Sequence, residues 1–211
     1  MKKHLFPILA VAVSLILWAV FYRELPVQLP THWGPNGVAD DYTSKIGTFF
    51  MLHGIMIGMY LLMIFLPKLD PKKANYNQFQ KGYLVIINGV LVLLIAIDFG
   101  TLYIGLGHDL EMPKLICILV GVLFIVIGNY MQQVKSNYFV GIKTPWTLAN
   151  EAVWNKTHRV GARCFMIAGF VIMLAFLFPV KWIPVVIVGA AIICSVIPIV
   201  YSYVIYKKIV K

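Results

Sequence analysis

A single carboxylate lies deep inside an apolar stretch of the sequence, and its position needs a chemical reason. Asp98 falls within the apolar run Tyr83 to Leu106, where an ionised carboxylate costs about 3 kcal/mol on membrane-insertion scales. A proton site, an ion site or a protonated carboxyl group making a structural hydrogen bond would each supply that reason. No second acidic residue occurs in any of the apolar runs, which argues against a transport pathway.

Three more polar residues, His53, Asn88 and Asn129, also occur within apolar runs. Asn88 precedes Asp98 by ten residues, about 280° around a helix, so the two residues do not share a face. We interpret His53, Asn88 and Asn129 as interhelical hydrogen-bond partners rather than ligands. The alternative is a small proton- or ion-linked transporter in which Asp98 acts together with Asn88 and Asn129.

A first polar segment, residues 23 to 45, has the pattern of an extended arm, a tight turn and a return arm. Pro26 and Pro30 favour extended backbone before them, and the run Gly34 to Gly37 is a strong turn signal. The residues that could form a small recognition surface for a ligand are Thr31, His32, Trp33, Asn36 and Gly37. The alternative is an interfacial cap with Trp33 and Tyr42 in the aromatic belt of a membrane.

A second polar segment, residues 135 to 161, begins with a helix-start signal. Thr144 followed by Pro145, or else Thr147, could cap a helix. Trp154 and His158 are four residues apart and share a helical face.

The same segment carries a cationic stripe formed by Lys156, Arg159 and Arg163. This pattern predicts an amphipathic helix lying on the inner leaflet, where each basic residue gains about 1 kcal/mol from lipid phosphates. Two interpretations remain open, namely simple anchoring to the membrane and a docking platform for a cytosolic protein.

Common catalytic motifs are missing from the sequence. It contains no HExxH, GxSxG, Walker A or dinucleotide-binding pattern. The three cysteines, Cys117, Cys164 and Cys194, fit no metal-binding spacing. We therefore expect no enzyme, no metal and no cofactor. A membrane enzyme using His32 or His158 is the least supported alternative.

Composition identifies the solvent in which the chain folds. Of its 211 residues, 61% are hydrophobic and 12% are charged, against roughly 25% charged in a typical soluble domain. This predicts an all-α polytopic protein with the lipid bilayer as its main partner. The net charge of +10 does not indicate direct nucleic-acid binding, because the basic residues lie at the ends of apolar runs.

Six apolar runs are long enough to span a membrane, at about 20 residues each. Their approximate bounds are Leu5 to Tyr22, Ile46 to Leu66, Tyr83 to Leu106, Leu115 to Val134, Ala162 to Val180 and Ile183 to Tyr206. The first run lacks a small-residue cleavage site, so we expect a retained helix rather than a signal peptide.

The positions of the basic residues predict the orientation of the spans. Most of the 18 Lys and Arg residues fall on one side, and only Arg23, Lys45, Lys114 and Lys181 fall on the other. The positive-inside rule then places both termini in the cytoplasm. Gly54 and Gly58 form a small-xxx-small pair on the second span, a weak signal for a homo-oligomer.

The two polar segments resemble a known family. The stretch Leu29 to Asp40 is similar to the P-x-H-W element of a membrane domain of unknown function that commonly precedes SdpI-type regions. The stretch Asn137 to Arg159 is similar to the SdpI-family signature. The resemblance divides the chain into an N-terminal membrane domain, residues 1–69, and an SdpI-like membrane domain, residues 70–211, with the signature loop at 135–161.

The resemblance implies a function in bacterial toxin immunity and signalling at the cell membrane. The expected partners are a secreted antimicrobial peptide toxin and a winged-helix repressor of the same operon, which would be held at the membrane by the second polar segment. With the cationic stripe, the residues assigned to partner docking are Asn137, Gly141, Lys143, Thr144, Trp146, Asn150, Trp154, Lys156, His158, Arg159 and Arg163.

Overall fold

The computed structural model describes residues 4–210. Seven helices and one hairpin follow one another along the chain. Their bounds are α1 Leu5–Phe21, β1 Gln28–Trp33, β2 Ala39–Ser44, α2 Lys45–Leu69, α3 Tyr76–Gly105, α4 Met112–Met131, α5 Pro145–Ala149, α6 Glu151–Leu174 and α7 Ile183–Val210. Short 3-10 turns precede α3, follow α6 and precede α7.

The long helices are of the kind that crosses a bilayer. Within residues 4–210, five helices have the length and apolar composition for a span, and α1 is a shorter apolar helix of 17 residues. The prediction of an all-α polytopic membrane protein is confirmed. The antiparallel hairpin of β1 and β2 is the one sheet in the described chain. The cytoplasmic placement of both termini stays a prediction.

Two predicted helix starts differ from the structure by seven residues or more. The third helix begins at Tyr76 rather than Tyr83 and contains a non-helical residue, Phe79. The fifth span was expected to begin at Ala162, but α6 begins eleven residues earlier, at Glu151. Each difference arises where a helix continues beyond its apolar run into a polar stretch that hydropathy does not count as a span.

Close backbone contact joins α4 to α6. A Cβ atom added to Gly121 would lie 2.6 Å from the backbone nitrogen of Met173, and one added to Gly169 would lie 2.6 Å from the carbonyl oxygen of Gly121. Gly128 meets α6 in the same way, at 2.8 Å from the carbonyl oxygen of Ala162. Small residues let the helices approach, which is how helices gain packing energy without a hydrophobic driving force.

The hairpin closes one end of the bundle. Its first arm places Leu25 and Leu29 in an apolar cluster with Trp18 and Leu102. At its tip, a Cβ atom on Gly37 would lie 2.7 Å from Val180, in the turn before α7. We call this end of the bundle the hairpin end. The opposite end, which carries residues 135–150, is the loop end.

We expect Gly121→Ala to weaken the α4–α6 interface, because its methyl group would overlap the backbone of α6. Overpacking of this kind costs about 1–3 kcal/mol, so the thermal unfolding midpoint in detergent should fall. Gly54→Ala is the matched control, since nothing lies within 4 Å of its added Cβ atom. Equal midpoints for the two variants would contradict the packing argument.

Candidate functional site

The turn of the hairpin forms as its sequence predicts. The amide of Gly37 donates to the carbonyl oxygen of Gly34 at 2.9 Å, and the amide of Gly34 donates to that of Val38 at 3.0 Å. Gly37 has a φ of +81°, a conformation that favours glycine. The predicted sequence of arm, turn and return arm is confirmed.

The five predicted recognition residues differ in accessibility. His32 is exposed and contacts Asp40, with 2.6 Å between Nδ1 and Oδ1, and Asn36 is exposed with its oxygen bound by the amide of Val38. Thr31, Trp33 and Gly37 are half-buried. The hydroxyl group of Thr31 lies 3.1 Å from that of Thr43 across the two strands.

Three exposed apolar side chains add to the hairpin surface. Val27, Val38 and Tyr42 are 79%, 62% and 51% exposed. Asp40 and Asp41 are exposed beside them. The hairpin therefore combines apolar and acidic groups that could contact a peptide or the lipid interface.

Asp98 sits at the junction of α1, α2 and α3 with its side chain fully enclosed. Its Oδ2 atom lies 2.6 Å from the hydroxyl oxygen of Ser14, within hydrogen-bond distance, and its Oδ1 atom accepts a hydrogen bond from Nε1 of Trp18 at 2.8 Å. The hydroxyl group of Ser14 also lies 2.9 Å from Nε2 of His53. A buried polar network therefore links three helices through four side chains.

Sequence reasoning found two members of this network and missed the others. His53 is an interhelical hydrogen-bond partner, as interpreted. That interpretation is wrong for Asn88, whose buried Oδ1 has no partner within the described residues. Asn129 is exposed and forms no side-chain hydrogen bond with another described residue. Ser14 and Trp18 were missed, although their four-residue spacing places both on one face of α1.

The loop end is organised around the side chain of Asn137, which is fully buried. Its oxygen accepts hydrogen bonds from the amides of Phe139 at 2.9 Å and Val140 at 2.6 Å, and it also lies 3.1 Å from the hydroxyl oxygen of Tyr76. Its Nδ2 group donates to the carbonyl oxygens of Lys135 and Val140. This asparagine therefore fixes the backbone of the loop.

A second buried side chain ties the loop to the connection between α2 and α3. Asp70 accepts hydrogen bonds from the amide of Lys72 at 2.7 Å, the hydroxyl group of Tyr76 at 3.0 Å and the amide of Tyr138 at 2.9 Å. The carboxylate thus holds together two segments that are more than sixty residues apart in sequence. Asp70 and Tyr76 are not among the residues predicted from the sequence.

The helix-start signal of the second polar segment, residues 135 to 161, is confirmed. Thr144 caps α5 and forms a reciprocal capping box with Thr147, and the hydroxyl group of Thr144 lies 3.0 Å from that of Ser202 in α7. Asn150 then caps α6 by accepting from the amide of Val153 at 3.1 Å. The prediction of a separate amphipathic helix lying on the inner leaflet is wrong, because Lys156 to Gly161 belong to α6, which continues into the span.

Trp154 and His158 share a face, as predicted, but that face is turned inward. Their rings stack with centroids 4.1 Å apart, and they are 0% and 1% exposed. Nε1 of Trp154 donates to the carbonyl oxygen of Val134 at 2.8 Å. Nε2 of His158 accepts from the amide of Ile142 at 3.0 Å, so both rings hold the loop in place.

The structure separates the predicted docking residues into two groups. Direct contact with a partner is excluded for the buried ones, because their side chains are enclosed by the chain itself; they are Asn137, Thr144, Trp154 and His158. The exposed or half-buried ones remain candidates, and they are Gly141, Lys143, Trp146, Asn150, Lys156, Arg159 and Arg163. Trp146 packs on Tyr203 of α7 with ring centroids 5.0 Å apart.

The cationic stripe is exposed along one face of α6, which we call the cationic face. Lys156, Arg159 and Arg163 are all exposed, and none takes part in an ion pair among residues 4–210. Their charges are therefore available to an anionic surface. No group of three or more His, Cys, Asp or Glu side chains that could hold a metal ion occurs among the described residues.

We expect Gly141→Ala to disrupt the loop end. Gly141 has a φ of +112°, and an added Cβ atom would overlap Nε2 of His158, so both the backbone and the bond to Ile142 would be strained. Hydrogen exchange at the Ile142 amide should accelerate by about 5- to 150-fold, since a lost buried hydrogen bond costs about 1–3 kcal/mol.

The control for this prediction is Gly107→Ala. Gly107 has a similar φ of +88°, but nothing lies within 4 Å of its added Cβ atom. This variant carries the backbone strain without the overlap. Identical exchange at Ile142 in both variants would show that the contact with His158 does not hold the loop.

Comparison with known proteins agrees with both segments. Residues 133–202 match the SdpI/YfhL protein family, and residues 9–57 match a domain of unknown function, DUF1648. The protein named Immunity protein SdpI from Bacillus subtilis (strain 168) is 30% identical over 209 residues, covering 99% of this chain and 98% of the relative. No solved structure matches. The chain therefore belongs to the SdpI family, and its apolar helices make it a multi-pass protein of the cell membrane.

Proposed function

We propose that this protein is an immunity protein that protects its cell from a secreted toxic peptide. The observation that carries the proposal is the similarity to Immunity protein SdpI along nearly the whole of both chains. A relative matched only in its spans would share a membrane environment. This match extends over the segments that carry both candidate contact surfaces.

The hairpin is the surface we assign to the toxin. It combines exposed apolar groups, Val38 and Tyr42, with the exposed carboxylates Asp40 and Asp41. Peptides that act on membranes are commonly amphipathic and basic, so both kinds of group would find complementary partners. Thr31, His32, Trp33, Asn36 and Gly37 shape the same surface.

The cationic face of α6 is the surface we assign to a cytosolic winged-helix repressor. Lys156, Arg159 and Arg163 are exposed and unpaired among the described residues. An acidic patch on such a repressor would be attracted by them, and charge complementarity mainly raises the rate of encounter. The buried ring of His158 and the capped start of α6 hold this face in a fixed orientation.

A physical connection between the two surfaces is available through α6 and α7. The hairpin tip contacts Val180 in the turn between these helices, and α6 carries the cationic face at its other end. A toxin that binds one packing of the helices more tightly would shift the population toward it. The cationic face would change with that shift.

For immunity, we expect the double variant Val38→Ser, Tyr42→Ser to lose protection. Both side chains are exposed, so their replacement should leave the fold intact while removing apolar contact area. The measurement is survival of a toxin-sensitive Gram-positive strain exposed to the toxic peptide. Arg159→Ala, at the opposite end, should keep protection. Equal killing with and without the unaltered protein would overturn the proposal.

For repressor docking, we expect the double variant Lys156→Glu, Arg159→Glu to release the repressor from the membrane while protection is retained. The reversed charges would repel the acidic patch that the unaltered face attracts. The measurement is the membrane-bound fraction of the repressor in toxin-exposed cells. Lys181→Glu, an exposed charge reversal at the hairpin end, is the control. A membrane-bound fraction unchanged by the double variant would rule out this surface.

A further inference from the structure

The hydrogen bonds around His53 determine where its protons lie. Its Nδ1 atom is 2.9 Å from the carbonyl oxygen of Phe49. A carbonyl oxygen only accepts, so Nδ1 carries a proton and donates it. The state of Nε2, which lies 2.9 Å from the hydroxyl oxygen of Ser14, then depends on what Ser14 does.

Ser14 has one hydroxyl proton and two contacts that each need a proton. One contact joins its oxygen to Oδ2 of Asp98 at 2.6 Å, and the other joins it to Nε2 of His53. With an ionised Asp98 and a neutral His53, the hydroxyl proton would serve one contact and leave two lone pairs facing each other in the other. Both contacts therefore require one additional proton.

We propose that Asp98, Ser14 and His53 form a proton-binding site that holds one shared proton inside the bundle. In one form the proton is on Asp98, which donates to Ser14, and Ser14 donates to a neutral His53. In the other form His53 is doubly protonated and donates to Ser14, which donates to an ionised Asp98. Moving one proton along each of the two hydrogen bonds interconverts the forms.

Charge balance supports a single shared proton. Both forms have zero net charge, so the site avoids the cost of an isolated ion in an apolar interior. Trp18 can only donate, and its bond to Oδ1 of Asp98 is satisfied in both forms. Loss of the proton would leave a net negative charge among side chains that are at most 4% exposed.

The second buried histidine shows that the arrangement around His53 is specific. His158 also donates from Nδ1 to the carbonyl oxygen four residues earlier, that of Trp154. Its Nε2 atom, however, accepts from the amide of Ile142, so it has no room for a second proton. At His53 the corresponding partner is the hydroxyl group of Ser14, which can donate or accept.

The three helices bring the site to one depth. Ser14 lies seven residues before the end of α1, Asp98 seven before the end of α3, and His53 eight after the start of α2. At 1.5 Å per residue, the site is about 10–12 Å inside the hairpin end. The apolar cluster of Trp18, Leu25, Leu29 and Leu102 lies between the site and the hairpin end. Proton exchange from the hairpin end therefore requires the base of the hairpin to move.

Other titratable groups occur on the elements packed around the site, and none forms a hydrogen bond or ion pair with its members among the described residues. On α2 and α3 they are Lys45, Tyr60, Lys68, Tyr76, Lys81, Tyr83 and Tyr103; on the hairpin they are His32, Asp40, Asp41 and Tyr42; beside α1 they are His4, Tyr22, Arg23 and Glu24. All of them remain in a variant that alters Asp98 alone, so the difference from the unaltered protein reports the site.

The test is the pH dependence of unfolding in detergent for the unaltered protein and for Asp98→Asn. Above about pH 6.5, a free histidine is neutral and a free aspartate is ionised, so the unfolded chain holds one proton fewer than the folded site. The unfolding equilibrium constant of the unaltered protein should then rise up to about tenfold per pH unit from this site.

The amide of Asp98→Asn keeps every bond, because it donates to Ser14 and accepts from Trp18 while Ser14 donates to a neutral His53. This variant should show no such rise above pH 6.5. It should lose stability below that pH instead, since only the unfolded histidine then gains a proton. Asp109→Asn, on an exposed loop, should follow the unaltered protein. Parallel profiles for Asp98→Asn and the unaltered protein would overturn the proposal.

A second measurement detects the protons directly rather than through the unfolding equilibrium. Infrared spectroscopy of the unaltered protein at neutral pH detects a protonated carboxyl group, assigned to Asp98 by its loss in Asp98→Asn, and nitrogen NMR with labelled histidine, assigned through His53→Gln, detects a doubly protonated imidazole. Either signal is expected from one of the two forms. An ionised Asp98 together with a neutral His53 would refute the shared proton.

Discussion

A polar side chain enclosed by apolar helices must obtain its hydrogen bonds from those helices, because no water is there to supply them. Asp98 obtains them from Ser14 and Trp18 of α1, and Ser14 extends the connection to His53 of α2. The relative positions of α1, α2 and α3 are therefore constrained at one depth. The hairpin connects α1 to α2, so its packing against Leu102 depends on the same constraint.

Sequence patterns predicted the elements whose causes are local. Hydropathy predicted the spans, the run Gly34 to Gly37 predicted the hairpin turn, and Thr144 followed by Pro145 predicted the start of α5. Each depends on residues within a few positions of one another. Tertiary partners could not be predicted in this way. A serine such as Ser14 is unremarkable in an apolar helix until the partner helix brings Asp98 to it.

The loop end shows a related limit of sequence reasoning. A long, specific signature was interpreted as a contact surface, yet Asn137, Trp154 and His158 are enclosed and hold the backbone of their own loop. A motif in a single sequence does not distinguish buried residues that hold the backbone in place from exposed residues that a partner could contact. Accessibility separates the two, and it leaves the cationic face of α6 as the part a partner could reach.

The lengths of the helices affect the surrounding lipid. The described helix α1 has 17 residues and extends about 25 Å, which is less than the hydrocarbon thickness of about 30 Å. In α6 and the 3-10 turn that follows it, the part beyond the last charged residue, Arg163, is shorter still: the fourteen residues 164–177 cover about 21–23 Å. The bilayer beside these helices must thin, or Arg163 must extend its side chain toward the headgroups. The constraint is local to these two helices, because α2, α3 and α7 have 25, 30 and 28 residues and exceed the hydrocarbon thickness.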